Sequence, residues 1–225
     1  MTMIHCLGSG LVGSFVIKKL LDEKMKINLV DIEKKEIFTD NDLLTIHVTD
    51  AIEYCKNTSN EDEIFVNMLP GSLGFSATEI LVSRGKKVVD LSFSETTPDS
   101  LNERAIDSGA RILWDVGIAP GFSNMLVTYA SRLGGGVYNA EIRVGGNPVE
   151  RDEKWSYMAP FSPKDVIAEY TRPARIIKSG KLTTVPALSD IHKINVEQVG
   201  IMESFLTDGL RSLLTTISAE EMTEY

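Results

Sequence analysis

Met3-Ile4-His5-Cys6-Leu7-Gly8-Ser9-Gly10-Leu11-Val12-Gly13 decides the reading of the first half of this chain. The apolar run before Gly8 is short enough to be one buried strand. From Val12 onward, Val12, Val16, Leu20 and Leu21 recur at helical spacing with lysines between them, so a helix is expected over Val12–Glu23. A second apolar segment, Ile27-Asn28-Leu29-Val30, ends at Asp31. Strand, glycine-rich turn, helix, strand and terminal acid follow in the order a dinucleotide site requires.

Each part of that motif has a physical task. Gly8 allows a sharp turn out of the strand. Gly10 offers no side chain, so backbone can approach a pyrophosphate, and Gly13 lets the helix pack close to the sheet. Ser9, Leu11 and Val12 complete the turn, where unpaired helix N–H groups and the helix dipole favour a phosphate. Asp31 lies 18 residues after Gly13, near the roughly 20 expected of the acid that accepts hydrogen bonds from ribose hydroxyls. A carboxylate there repels a 2′-phosphate and argues for NAD over NADP, while Lys34 and Lys35 pull the other way. The competing reading is a doubly wound domain whose turn has no ligand.

The remainder of the first half repeats the strand–helix alternation. A short helix is expected over Ile32–Asp42, a strand over Leu44–Val48 ending at Thr49-Asp50, and a helix over Ala51–Lys56. Then come a strand at Ile64–Leu69 closed by Pro70-Gly71, a helix over Leu73–Arg84, and a strand at Lys87–Leu91. Thr97-Pro98 reads as an N-cap and first helical position, and Arg111–Val116 as a sixth strand. Six strands linked through helices describe an α/β, Rossmann-type doubly wound parallel sheet. In such sheets ligands collect beyond the carboxyl ends of strands. Asp31, Asp50, Leu69-Pro70-Gly71, Asp90-Leu91-Ser92 and Asp115-Val116-Gly117 all fall there, so we take Asp50, Leu69, Pro70, Gly71, Leu91 and Ser92 as further cofactor candidates. The acids among them have a plainer reading as turn and cap residues.

The texture changes at Ile118-Ala119-Pro120-Gly121. An apolar helix is expected over Phe122–Leu133, a strand over Tyr138–Val144, and a helix opened by Ser162-Pro163-Lys164-Asp165. A hairpin is signalled by Ala174–Lys178, Ser179-Gly180 and Lys181–Val185, and a later strand at about Val196–Ser204. The chain is therefore divided into a dinucleotide-binding domain, 1–120, and a second, mixed α/β domain, 121–225.

Composition agrees with a globular protein. Of 225 residues, 43% are hydrophobic and 24% charged, enough to bury a sizeable core. A net charge of −9 with pI near 4.9 argues against nucleic acid or an anionic membrane as partner. Cys6 and Cys55 are the only cysteines, neither in a CxxC pair, so no metal and no disulfide is expected. His5, His47 and His192 show no ligand spacing and receive no role. No stretch reads as a signal or membrane segment, and a cytoplasmic location is expected.

Several ordered motifs carry a resemblance. Asp115-Val116-Gly117-Ile118-Ala119-Pro120-Gly121-Phe122-Ser123-Asn124 resembles the strand-to-helix joint of the saccharopine dehydrogenase-like family, especially its lysine 6-dehydrogenase branch. The similarity continues through Val144-Gly145-Gly146-Asn147-Pro148, through Glu169-Tyr170-Thr171-Arg172-Pro173-Ala174-Arg175, and through Glu203–Arg211. It implies a Rossmann domain, an inserted substrate and dimerisation domain, and a nicotinamide cofactor. It also implies oxidation at a C–N bond of an amino acid, lysine or a lysine conjugate, or the reverse condensation. Family members are usually longer, which leaves a fragment, a naturally short member or an inactive relative open. A related amine-condensing enzyme of polyamine metabolism is a further alternative.

The chemistry selects residues. Amine oxidation needs a base or relay near the nitrogen, for which Asp115 is the first candidate and Asp90 the second. Each is read alternatively as a turn cap. A substrate carboxylate favours a guanidinium fork, which points to Arg172, with pairing to Glu169 as the competing reading. Asn124 and Tyr157 are candidates to line a cleft, and Trp155 and Phe161 are read as core or dimer contacts. The expected partners are a small amino-acid substrate and a second copy of the chain.

Overall fold

The computed structural model describes residues 2–33, 41–59, 63–146, 148 and 161–225. The chain divides into two compact units, Met1–Val116 with Pro160–Ser162, and Gly117–Ala159 with Pro163–Tyr225. Together they make an α/β protein: a Rossmann-type parallel sheet and a separate mixed sheet.

In the first unit the elements run β1 (Ile4–Leu7), α1 (Leu11–Asp22), β2 (Ile27–Asp31), β3 (Leu44–Val48), α2 (Ala51–Lys56), β4 (Ile64–Asn67), α3 (Gly71–Ser83), β5 (Lys87–Asp90), α4 (Asn102–Ser108) and β6 (Arg111–Trp114). A 3-10 turn, Pro98–Leu101, precedes α4, with Thr97 as its N-cap. The strand order is β3-β2-β1-β4-β5-β6, and every neighbouring pair is parallel. Chain order therefore reverses between β1 and β4, the switch point where doubly wound sheets open a crevice.

Alternation along the strands supplies both layers of core. Leu7, Val30, Phe65 and Val88 pack with Ala51, Cys55, Ala77 and Leu81 of α2 and α3. Ile4, Cys6, Ile27, Leu29 and Val66 point the other way and pack with Ile17 of α1. Burying each such aliphatic side chain contributes roughly 1.5–3 kcal/mol. Cys6 and Cys55 are both free and buried, with thiols pushed up to about 12 by desolvation, so they behave as small apolar residues. The short helix expected over Ile32–Asp42 lies largely outside the described residues.

The second unit contains α5 (Phe122–Gly134), β7 (Asn139–Ile142), α6 (Pro163–Thr171), β8 (Ala174–Lys178), β9 (Lys181–Val185), β10 (His192–Val196), β11 (Gly200–Ser204), α7 (Leu213–Thr216) and β12 (Glu221–Glu224). The expected hairpin is present as antiparallel β8 and β9. One expectation needs correction, and one strand was not anticipated. The single strand at Val196–Ser204 is a hairpin: Gln198 takes a left-handed φ of 64°, and β10 pairs antiparallel with β11. The last residues form β12, which sits inside the four-stranded sheet β7-β12-β8-β9, parallel to β7 and antiparallel to β8. Met222 of β12 is fully buried against Ile177, Leu210 and Leu213. Among the described residues no helix is long and apolar enough to cross a membrane.

Candidate active site

The carboxyl edge of the parallel sheet is built around the turn from β1 into α1. Gly8 takes φ +88° and its N–H donates to the Val30 carbonyl at 2.9 Å. A Cβ on Gly13 would stand 2.4 Å from the Gly8 carbonyl oxygen, so only glycine lets α1 begin this close to the strand end. Gly10 is different: nothing lies within 4 Å of the position its Cβ would take. It is also the N-cap of α1 and supplies no side-chain cap. The first turn of α1 thus presents its N–H groups beside open space, with Leu11 and Val12 exposed.

Asp31, at the end of β2, is tied to that turn. Its Oδ2 accepts from the Ser9 N–H at 2.8 Å and from the Ser9 hydroxyl at 2.5 Å. Its Oδ1 accepts from the Glu33 N–H at 3.1 Å. The acid is therefore oriented by the residue that precedes Gly10. Ser14 locks the turn further, its hydroxyl donating to the Ser9 carbonyl at 2.7 Å.

At the next strand ends a buried polar chain fixes the loops. Asn67 donates from Nδ2 to the Gly74 carbonyl at 2.8 Å and to the Thr78 hydroxyl at 3.0 Å. Thr78 donates to Asp90 Oδ2 at 2.6 Å, and both the N–H and hydroxyl of Ser92 donate to Asp90 Oδ1 at 2.8 and 2.6 Å. Asn67 Oδ1 accepts from Leu69 N–H at 3.2 Å, placing Leu69-Pro70-Gly71 ahead of α3. A Cβ on Gly74 would collide with Ser92, so α3 and the loop after β5 are in close contact. Sequence reasoning missed Asn67 and Thr78, because a buried side-chain network leaves no periodic signal.

This geometry redistributes the expected roles. Gly8, Ser9, Gly10, Leu11, Val12, Gly13 and Asp31 come together, with Leu69, Pro70 and Gly71 at the neighbouring strand end. Asp90 is 1% exposed and its carboxylate is taken up by Thr78 and Ser92. It positions the loops and is no open base, and Ser92 is committed to it. Leu91 packs against the α1-side core. Asp50 is the N-cap of α2, accepting from Glu53 N–H at 2.9 Å, so its plainer reading as a cap is the one observed. Asp115 follows β6 with φ 55°, a left-handed conformation that Asp tolerates better than most residues.

In the second unit Asn124 braces α5. Its Oδ1 accepts from Gly121 N–H at 3.2 Å and its Nδ2 donates to the Ser212 hydroxyl at 2.6 Å. Arg172 is not simply paired with Glu169. Its Nη1 stands 4.0 Å from Asp208 Oδ2, while Arg175 grips the same carboxylate through Nε at 2.7 Å and Nη2 at 2.8 Å. Asp208 is 4% exposed and draws both guanidinium groups together. Glu169 is pushed up to about 7 by burial, against the opposing pull of Arg172. Tyr157 and Trp155 lie outside the described residues. Among those described, no group of acids, histidines or cysteines could hold a metal ion.

Residues 117–225 match the family described as saccharopine dehydrogenase C-terminal domain. The apo saccharopine dehydrogenase (L-Glu forming) of Saccharomyces cerevisiae superposes with a TM-score of 0.67 at 15% identity, covering 100% of this chain and 54% of that enzyme. A presumed oxidoreductase of Bacillus subtilis, yvaA, superposes with a TM-score of 0.51 at 14% identity, covering 100% of this chain and 64% of that protein. At these identities the likeness is one of fold, and this chain spans about half the length of the yeast enzyme. Residues 117–225 thus carry a saccharopine dehydrogenase C-terminal domain, and a Rossmann-type sheet precedes it in the chain.

Proposed function

We propose that this chain is a nicotinamide-dependent oxidoreductase acting at the C–N bond of an amino acid, lysine or a saccharopine-like conjugate, with NAD preferred over NADP. The observation that carries the reading is the α1 N-terminus: open space at Gly10, uncapped N–H groups, and Asp31 held beside the turn by Ser9. These groups fit a dinucleotide. The α1 N–H groups suit the pyrophosphate and the Asp31 carboxylate suits the ribose hydroxyls, where its charge opposes a 2′-phosphate. When bound, the cofactor accepts or donates the hydride.

The rest falls to the chain. Asn67, Thr78, Asp90 and Ser92 hold the loops after β4 and β5 in one geometry. Asp115 is our candidate to hold the substrate ammonium and pass on its proton. Arg172, steered by Asp208, is a candidate for a substrate carboxylate. A homodimer is part of the same proposal.

The test is absorbance at 340 nm with purified protein, NAD, and either lysine or saccharopine. Turnover with one of them, lost in Asp115→Asn, supports the assignment. Tight NADH binding without turnover on either substrate would point instead to a cofactor-binding relative without activity.

A further inference from the structure

Five side chains of the second unit converge on a site that none of the roles above uses. Arg143, just beyond β7, donates from Nε to Glu141 Oε1 at 2.7 Å and from Nη2 toward His192 Nε2 at 3.3 Å. Its guanidinium also lies over the Tyr225 ring, 5.3 Å from the centroid. His192 and Tyr225 meet edge to face at 5.2 Å. Asp190 anchors both: its carbonyl accepts from His192 Nδ1 at 2.8 Å, and its carboxylate accepts from the Tyr225 hydroxyl at 2.8 Å. Nδ1 of His192 is thus turned to that carbonyl and Nε2 faces Arg143.

This arrangement orients a guanidinium and leaves part of it unspent. Arg carries five N–H donors. Two are engaged, by Glu141 and His192, and the Nη1 pair has no partner among the described residues. Arg143 and Glu141 both line a cavity of about 310 Å3 between α5 and β7, whose other walls include Ile118, Phe122, Leu126 and Val144. Those four side chains are 75%, 54%, 52% and 46% exposed. The cavity is thus apolar along its length, with one cation and one anion side by side at its rim. Its volume is at the low end of small-molecule sites. Arg172, by contrast, is 11% exposed, with Nη1 4.0 Å from Asp208.

We infer that the groove between α5 and β7 binds an aliphatic α-amino acid, its carboxylate on Arg143 and its ammonium on Glu141, with the hydrocarbon chain along Ile118, Phe122 and Leu126. A guanidinium fixed on three sides loses little freedom on meeting a carboxylate and can offer a bidentate fork. The neighbouring Glu141 disfavours a bare anion and favours a zwitterion. The inference shares with the proposed function only the class of ligand. It stands on the second unit alone, and in this groove the carboxylate group is Arg143, a position separate from the Arg172 of the proposed function.

The test is NMR titration of the 15N-labelled full chain with L-norleucine, hexanoate and hexylamine, following the Arg143 side-chain Nε–H. Norleucine is expected to bind with a Kd of about 1 mM, and hexanoate and hexylamine at least about tenfold more weakly. Arg143→Gln and Glu141→Gln should each weaken norleucine about tenfold or more, and Arg143→Lys, which keeps the charge without the fork, several-fold. Both exposed sites tolerate substitution, and unchanged melting of the variants checks this. No norleucine binding by about 20 mM overturns the inference. So does binding that survives either glutamine variant, or hexanoate bound as well as norleucine. NADH binding in the same samples reports on the first unit, so failure of the cofactor reading is seen separately.

Discussion

Gly10 and Gly13, three residues apart in one turn, should fail in opposite ways. A methyl at Gly13 would stand 2.4 Å from the Gly8 carbonyl oxygen and 3.1 Å from its carbon, both backbone atoms that cannot swing aside. Overpacking of this kind costs about 1–3 kcal/mol, while replacing a helical glycine by alanine returns roughly 0.5–1 kcal/mol. Because both neighbours are backbone, the cost falls in the upper half of that range, and Gly13→Ala should lose about 1–2.5 kcal/mol net, a fall in melting temperature of about 2–10 °C for a chain of this size. A methyl at Gly10 meets nothing within 4 Å, and its φ of −63° is open to alanine. Gly10→Ala should melt within about 2 °C of the parent, because the added methyl touches no protein atom. It fills the space assigned to the pyrophosphate, so NADH affinity should drop about tenfold or more, or 1.4 kcal/mol. The assays are thermal melting by circular dichroism and NADH fluorescence titration on the same preparations. Full NADH affinity in Gly10→Ala would refute the assignment of that space, and parent-like melting of Gly13→Ala would refute the close helix–strand approach.

Asp208→Ala leaves Arg175 and Arg172 beside an empty position; losing one member of a buried pair costs about 3–5 kcal/mol, so the second unit should melt well below the parent in calorimetry. His5 is buried against Phe65 and Tyr54, and desolvation holds its pKa below the ordinary 6.5 despite Glu63. Its contribution to stability is thus complete above pH 6.5 and is lost as pH falls toward the folded value. His5→Leu should shrink the loss of melting temperature between about pH 7.5 and 5. Glu169, raised to about 7 from 4.5 by burial, has the opposite sense: stability declines as pH rises from 4.5 to 7. Glu169→Gln should flatten that slope in urea titrations at stepped pH.

The sequence carried more of the first unit than of the second. There, the inner strands β1, β2 and β4 are short apolar runs buried nearly throughout, the edge strands β3 and β6 alternate, and breakers locate the strand ends. The Gly8-to-Gly13 turn and Asp31 were legible because phosphate approach imposes residue types at fixed spacing. The β10–β11 hairpin was not, since its turn, Glu197-Gln198-Val199, contains no glycine and relies on Gln198 in a left-handed conformation. Nor was β12: Glu221-Met222-Thr223-Glu224 is polar in composition, and only its seat between β7 and β8 explains a buried Glu224. Asp90 looked like a strand-end acid open to chemistry. Its burial depends on Thr78 and Ser92, partners that spacing does not reveal. His192 showed no ligand pattern, because its neighbours Arg143 and Tyr225 are distant in the chain.

Binding of nicotinamide dinucleotide tests the central claim most directly. Titration of the purified chain with NADH and NADPH, read by the fluorescence of the reduced cofactor, should give NADH a Kd of about 1–10 μM. NADPH should bind about tenfold or more weakly, and Asp31→Ala should narrow that gap. Absence of NADH binding up to about 1 mM, or NADPH bound more tightly than NADH, would contradict the account.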